Sequence, residues 1–357
     1  MSKFHSIKIA DIYKETKDCS VISFEIPVDL QKEFQFTQGQ HLTLKSSIDG
    51  KEERRSYSLC SSPIENKWKV AVKKINGGLF STFVNEKLKK GDFLDLMAPN
   101  GDFFTPVNAA KPKNYIAFVA GSGITPILSI IKTHLALEPN STFKLFYLNR
   151  SVKSIIFKEE IELLKNKYFG RFEIFHFLTK EHRSIELLNG RFTKEKLQVL
   201  TSKIIDIPAV DECFICGPEE MIFLVRDELV AAGLSKEKVH FELFSTGNSE
   251  EDKQRINKIL EHKVEGTEVT IIDGGKEFHF IMDDDFDNIL DGALAAGADL
   301  PFACKGGVCS TCRCKIISGT VEMKINYALD EKEVAKGLIL SCQAVPTSQN
   351  VVVEFGV

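Results

Sequence analysis

The chain has 357 residues, with 46 Lys and Arg against 50 Asp and Glu, a formal net charge of -4 and 43% hydrophobic residues. At about 100–200 residues per domain this is material for two or three domains, and it lacks the basic excess that binding to nucleic acid or an anionic membrane surface requires. The N-terminus carries no apolar segment followed by a small-residue cleavage site, and Gly121, Gly123 and Pro126 interrupt the longest uncharged stretch, so no membrane span is predicted and a cytoplasmic location is expected.

In residues 1–106, polar and apolar residues alternate in short runs separated by turn residues, which predicts an antiparallel β-barrel. Trp68, Val70 and Val72 fall on one face of such a run, with lysines mostly on the other. Within this region stand Arg55, Ser56, Tyr57 and Ser58, and later Gly77 and Gly78 precede Ser81 and Thr82 at a predicted helix start. An arginine at a strand end grips a pyrophosphate in bidentate fashion, and an adjacent tyrosine offers a stacking face. Glycines opening onto a helix N-terminus leave bare backbone N–H groups for phosphate, and Ser58 can hydrogen-bond the reactive nitrogen edge of a flavin. Each motif alone is common in unrelated chains. Their order inside a barrel, ahead of an α/β region, is what points to FAD.

Residues 107–245 alternate compact apolar runs with helical patterns, which predicts a parallel α/β sheet for nicotinamide nucleotide binding. The segment containing Gly121, Gly123, Thr125 and Pro126 follows a buried run and opens a helix, so a pyrophosphate can approach the helix N-terminus even though the spacing is not that of the Rossmann fingerprint. Cys216, Gly217 and Pro218 close a later strand at the sheet edge where ligands of open α/β folds collect. Cys216 either packs near the nicotinamide carbon that gives up hydride or is a plain buried cysteine; paired with Ser58 it is the candidate catalytic residue. Arg150 and Ser151 follow Asn149 where an adenosine ribose would be read, and an arginine there accepts a 2′-phosphate, so NADPH is expected ahead of NADH.

Residues 246–263 are polar and highly charged and read as a linker, with a short helix possible in the middle. In residues 264–357 short strands accompany one helical segment near Asn288 to Ala296. The total of 9 cysteines is odd and four lie between Cys304 and Cys314, a pattern suited to metal ligation in a reducing compartment. Cys304, Cys309 and Cys312 have the spacing C-x4-C-x2-C, and Cys342 follows after 29 residues, which is the plant-type [2Fe–2S] pattern. Gly306 and Gly307 let backbone N–H groups approach the sulfurs. The competing reading is a structural zinc module on a non-enzymatic adaptor, but zinc ribbons favour two CxxC knuckles and only one of ligand spacing is present. Cys314 alternates with Cys312 and reads as a buried non-ligand. Asp283, Asp284, Asp285, Asp287 and Asp291 form either a docking face for a basic partner or a solvated acidic helix start.

With these residues in hand, the chain resembles the ferredoxin–NADP reductase superfamily in its oxygenase-reductase branch, and within it the reductases that serve ring-1,2-phenylacetyl-CoA epoxidases. The likeness runs nearly full length and is sharpest in ADLPFACKGGVCSTCRCK, NYALDEKEVAKGLILSCQA, CFICGPEEM and NGRFTKEKL. It implies an FAD barrel, an NAD(P)H α/β domain and a ferredoxin of β-grasp type, in that order. It implies FAD held by Arg55, Tyr57, Ser58, Gly78, Ser81 and Thr82, and NAD(P)H held by Gly121, Thr125, Arg150 and the Cys216-Gly217-Pro218 turn. The implied cluster ligands are Cys304, Cys309, Cys312 and Cys342, and the implied acceptor is a di-iron oxygenase acting on phenylacetyl-CoA. A reductase for another acceptor, such as a hybrid-cluster protein or a desaturase, is the alternative. The chain departs from its relatives at Glu242-Leu243-Phe244-Ser245, where they tend to carry an Arg and Asn.

Overall fold

A computed structural model describes residues 4–244 and 250–356. The chain divides into two compact units: one is 5–53 with 57–243, and the other runs from Phe244 onward, with Phe4 and Arg54–Ser56 grouped with it.

The first unit opens with β1 (His5–Thr16), β2 (Cys19–Glu25), β3 (His41–Ile48), β4 (Lys51–Ser58), β5 (Trp68–Lys73), α1 (Leu79–Glu86) and β6 (Phe93–Leu96). The six strands form a sheet in the order β4-β3-β6-β1-β2-β5, and a bridge from Leu59 to Val70 joins the two ends into a barrel. Strand alternation fills it: Ile7, Ile9, Ile22, Leu42, Leu44, Val70, Val72 and Leu96 are all buried in one cluster. Trp68 belongs to that core, and its indole N–H donates to the Phe34 carbonyl at 2.7 Å, so its one polar atom is satisfied.

Next come β7 (Asn114–Ala120), α2 (Ile124–Leu137), β8 (Thr142–Asn149), α3 (Lys158–Lys167), β9 (Phe172–Leu178), α4 (Lys194–Lys203), β10 (Glu212–Cys216), α5 (Glu219–Ala231) and β11 (Val239–Glu242). They build a parallel sheet ordered β11-β10-β7-β8-β9. The order reverses beside β7, and the crevice at the C-terminal ends of β7 and β10 is the switch point where such sheets take ligands.

Barrel and sheet belong to one compact unit for a physical reason. A single apolar cluster runs from Cys19, Val21 and Ala71 of the barrel through Ile124, Leu128 and Ile131 of α2. Polar bonds line the same seam. Ser129 Oγ donates to the Ser61 carbonyl at 2.6 Å, and the buried Lys132 pairs with Glu160 and, at 3.0 Å, with Glu65. A lysine that deep keeps its charge because two carboxylates face it.

The second unit begins with α6 (Glu250–Glu261), so most of the predicted linker is helical; 246–249 lie outside the described residues. Then come β12 (Thr267–Asp273), β13 (Lys276–Met282), α7 (Ile289–Ala295), β14 (Arg313–Ser318), β15 (Val321–Met323), α8 (Glu331–Ala335), β16 (Leu338–Leu340), β17 (Ala344–Pro346) and β18 (Asn350–Phe355). The five-stranded sheet has the order β13-β12-β18-β14-β16, with β12 and β18 parallel and α7 packed across it, the β-grasp arrangement. Packing is close: a Cβ on Gly292 of α7 would stand 2.3 Å from the Phe280 ring. Among the described residues, no helix is long and apolar enough to cross a membrane.

Candidate functional site

Three groups of residues carry the candidate chemistry. The first lies on β4 and the start of α1. Arg55 and Tyr57 share one face of β4, and Ser56 and Ser58 the other, by strand alternation. Arg55 is exposed, with a guanidinium N–H donating to the Arg54 carbonyl at 2.7 Å, while Ser58 is 5% exposed. The Tyr57 ring packs against Phe80 in the first turn of α1 at 5.9 Å, which brings the two flavin motifs of the sequence together. Gly77 turns the chain with φ +75°, and Gly78 caps the helix; a Cβ at Gly78 would meet Ser81 Oγ at 2.6 Å. The Ser81 hydroxyl accepts from Ile75 N–H at 3.1 Å and donates to the Gly78 carbonyl at 3.3 Å, and Thr82 N–H returns to Gly78. Ser81 therefore shapes the loop, and the N–H groups of the helix's first turn are what it offers an anion.

The second group sits at the switch point. Gly121 has φ +53°, which ends β7, and its carbonyl accepts from the Tyr147 hydroxyl at 2.9 Å. Gly123 meets Cys216 so closely that a Cβ would lie 2.3 Å from the Cys216 carbonyl and 3.1 Å from its sulfur. Thr125 Oγ donates to the Ser122 carbonyl at 3.0 Å and Pro126 sits within the first turn of α2, where a missing N–H costs nothing. Gly217 is as constrained, since a Cβ would meet Met221 at 2.5 Å and Ala120 at 3.0 Å, and Pro218 caps α5. Cys216 is fully buried, and burial followed by the nearby charge of Glu242 holds its thiol well above the usual range, so it stays protonated and neutral. In the sheet, Cys216 is paired with Glu242, and the Glu242 carboxylate accepts from Ser58 Oγ at 3.2 Å. Both candidate catalytic residues thus meet through a third, Glu242.

Arg150 and Ser151 follow β8 at the same sheet edge. Arg150 is exposed, and Ser151 begins a turn in which its N–H donates to Ser154 Oγ at 3.0 Å. Beside them a cleft of about 310 Å³ is lined by Val152, Ile155, Lys158 and Arg183 together with the carboxylates of Glu162 and Glu181, so its size suits the adenosine end of a nucleotide while its charges balance. Asn149, just ahead, is 5% exposed, and its side-chain N–H₂ faces the Tyr147 hydroxyl without a well-formed hydrogen bond. A buried donor left unmade is costly unless a ligand or water completes it. The sequence placed Asn149 beside the expected ribose site and marked Glu242 as a departure from relatives, but assigned neither a binding role; for Asn149 the available signal was a polar residue closing an otherwise apolar strand.

The third group is the cysteine loop. Cys304 Sγ accepts from Gly306 N–H at 3.3 Å and from Val308 N–H, and Cys342 Sγ accepts from Gly307 N–H. The thiols associate two by two, Cys304 with Cys309 and Cys312 with Cys342. Within the second pair, Cys342 is drawn below the ordinary thiol range because the Cys312 thiol and a backbone N–H donate to it. Gly307 has φ +75°, and a Cβ there would meet the Ile325 carbonyl at 2.8 Å. Among the described residues no group of three or more His, Cys, Asp or Glu side chains stands ready-formed around a single point. Cys314 is fully buried in the apolar core of β14. In the acidic run, Asp291 pairs with Lys305 at 2.7 Å and Asn288 caps α7, while Asp283, Asp285 and Asp287 are exposed.

Comparison with known proteins agrees with this arrangement. Residues 6–105 match an oxidoreductase FAD-binding domain, 118–227 an oxidoreductase NAD-binding domain and 271–347 a 2Fe-2S iron-sulfur cluster binding domain. The chain is 42% identical to one of the subunits of the 1,2-phenylacetyl-CoA epoxidase of Escherichia coli, over 99% of this chain and 98% of that one. It is 32% identical to the ferredoxin reductase component of 3-ketosteroid-9-alpha-monooxygenase from Rhodococcus rhodochrous, over 98% of this chain and 96% of that one. The fold matches phthalate dioxygenase reductase with a TM-score of 0.59 at 24% identity, over 99% and 98% of the two chains. This chain therefore belongs to the NAD(P)H-dependent oxidoreductases, with FAD-binding, NAD-binding and [2Fe–2S] domains in one polypeptide, that are the reductase components of oxygenases.

Proposed function

We propose that this chain takes electrons from NADPH and delivers them to a di-iron oxygenase that epoxidises phenylacetyl-CoA. The observation that carries the acceptor is the end-to-end identity of 42% with a component of a phenylacetyl-CoA epoxidase, against 32% for a steroid-oxygenase reductase of the same layout. When bound, FAD supplies the exchange between two-electron and one-electron chemistry, and the [2Fe–2S] centre supplies single-electron carriage.

The residues divide the work. Arg55 and the first turn of α1 hold the flavin's pyrophosphate, and Tyr57, on the same face of β4 as Arg55, flanks the ring system, while Ser56 lines the other face with Ser58. The α2 N-terminus with Gly121, Gly123 and Thr125 takes the nucleotide's pyrophosphate, while Arg150 and Ser151 meet the 2′-phosphate. Cys216, neutral because of its burial, packs beneath Gly123 as a polarizable, uncharged neighbour of the point where hydride leaves. Ser58 and Glu242 hold a proton between them at that point. Cys304, Cys309, Cys312 and Cys342 ligate the cluster. A cytoplasmic location and the lack of a nucleic-acid partner belong to the same reading, the first supported by cysteine spacing suited to metal ligation in a reducing compartment and the second by the balanced charge.

The test is reconstitution of the purified chain with the oxygenase subunits of a phenylacetyl-CoA epoxidase. Epoxide formation driven by NADPH, with a higher kcat/KM than NADH gives, is the expected result. Turnover with a hybrid-cluster protein or a desaturase but none with the epoxidase would overturn the acceptor. Faster turnover with NADH would overturn the nucleotide preference alone.

A further inference from the structure

A loop that wraps a negatively charged metal centre must aim N–H groups at the sulfurs and satisfy the carbonyls it turns inward. After Cys304 the chain does this at an awkward place. Lys305 has φ +51°, in the left-handed region that a residue with a Cβ keeps only when its surroundings hold it there.

The residue that holds it follows the fourth cysteine. Gln343 is 6% exposed, and its backbone is fixed by its own N–H to the Leu340 carbonyl and by Lys324 N–H to its carbonyl, each at 2.9 Å. From there the side-chain N–H₂ donates to the Lys305 carbonyl at 2.8 Å and stands 3.8 Å from Cys342 Sγ. The stem of the same side chain covers Gly307, where a Cβ would meet Gln343 Cγ at 3.2 Å. One amide therefore touches the segment of the first cysteine, the inward-turned glycine and the last cysteine.

We propose that Gln343 is a positioning residue for the metal centre. It locks the Cys304–Gly307 turn onto Cys342, and its amide dipole at the Cys342 sulfur favours the more negative, reduced state of the cluster formed there. This rests on the reading of Cys304, Cys309, Cys312 and Cys342 as the ligands.

Redox titration of the full-length holoprotein, followed by visible absorption and electron paramagnetic resonance, is paired with the rate of iron loss to a chelator. Gln343→Met keeps the length of the side chain and removes the donor. At a fixed applied potential its reduced-to-oxidised ratio is expected to fall threefold to tenfold, the upper end being about 59 mV for a one-electron couple. Iron loss is expected to be several-fold faster, and Gln343→Glu, which adds a charge, should exceed both effects. Adding Lys305→Gly to Gln343→Met separates the two roles, because glycine adopts the left-handed turn without a Cβ penalty. Iron retention should recover while the potential stays low. A Gln343→Met chain that titrates and holds iron like the wild type would overturn the proposal, as would a double variant that retains iron no better than the single one. Wild-type protein without iron and acid-labile sulfide would instead overturn the ligand assignment.

Discussion

The hydroxyl of Ser58 donates to the carboxylate of Glu242 across 3.2 Å, tying the last residue of a barrel strand to the last residue of the edge strand of the parallel sheet. Cys216 lies in register beside Glu242 at the C-terminal ends of β10 and β11. A hydrogen bond to a charged group contributes about 1.5–3 kcal/mol. Ser58→Ala should therefore slow nucleotide-driven flavin reduction roughly 10- to 100-fold, with little change in nucleotide KM. Glu242→Gln, which keeps an acceptor but loses the charge, should slow it less. Stopped-flow absorbance at the flavin band measures both, and unchanged rates in both variants would remove this pair from the chemistry.

Gly123 has helical angles, φ −58° and ψ −11°, so a larger residue there meets no backbone penalty and only space is at issue. Space is absent, because a Cβ would stand 2.3 Å from a main-chain carbonyl that cannot swing aside. Overpacking of this kind costs about 1–3 kcal/mol, and here it displaces the loop from Cys216. Gly123→Ala should raise the nucleotide KM about tenfold or more while leaving the flavin absorption spectrum unchanged. A KM equal to that of the wild type would show that nucleotide binds elsewhere.

His134 and Glu138 face each other inside the first unit, and their titration predicts acid lability. His134 Nδ1 lies 3.1 Å from a Glu138 carboxylate oxygen, and its Nε2 faces the side-chain N–H₂ of Gln38 at 3.5 Å. That donor leaves Nε2 as an acceptor, and burial, the largest influence, lowers the His134 pKa below its ordinary 6.5 despite the carboxylate. Glu138 is also lowered from 4.5, because the Asn108 N–H, Ser141 and His134 together outweigh the opposing effect of burial. For both groups the unfolded chain binds the proton more readily. Stability is therefore complete above about pH 6.5 and declines as pH falls, first through His134 and then through Glu138. The melting temperature of the flavin-containing unit should drop between pH 7 and pH 5, and His134→Gln should flatten the upper part of that drop. A melting temperature independent of pH over this range would contradict the assignment.

Much of this architecture could be read from the residues because it rests on local period or spacing. The alternation of Trp68, Val70 and Val72 gave the barrel face, and all three are buried. The spacing from Cys304 to Cys312 pointed to a binuclear cluster, and residues 271–347 match a 2Fe-2S iron-sulfur cluster binding domain. What escaped depends on partners far apart in the chain. Ser58 and Glu242 are separated by 184 positions, and nothing local to either announces the other. Ser81 looked like a phosphate ligand by type, yet its hydroxyl is taken by Ile75 and Gly78, a competition visible only once the loop is folded. The seam of Ser129 and Lys132 on α2 likewise joins barrel and sheet into one unit through contacts that no periodicity encodes.

Cys342 offers the cleanest separation of the two halves of the electron path. It is 1% exposed and its sulfur accepts from the Cys312 thiol and the Gly307 N–H, so a serine in its place fits the space with a harder, poorly ionised oxygen. Iron–sulfur centres need thiolate ligands, and a hydroxyl near neutral pH is a weak substitute. None of the residues assigned to flavin and nucleotide contributes to the apolar cluster that holds Cys342. Cys342→Ser should therefore abolish electron transfer to the protein acceptor while NAD(P)H-driven reduction of a small dye continues at close to the wild-type rate. Iron analysis should show a loss of metal with full retention of flavin. If dye reduction fell in step with acceptor reduction, the cluster would have to take part in the first electron exchange as well, and the division of labour between the two units would be wrong.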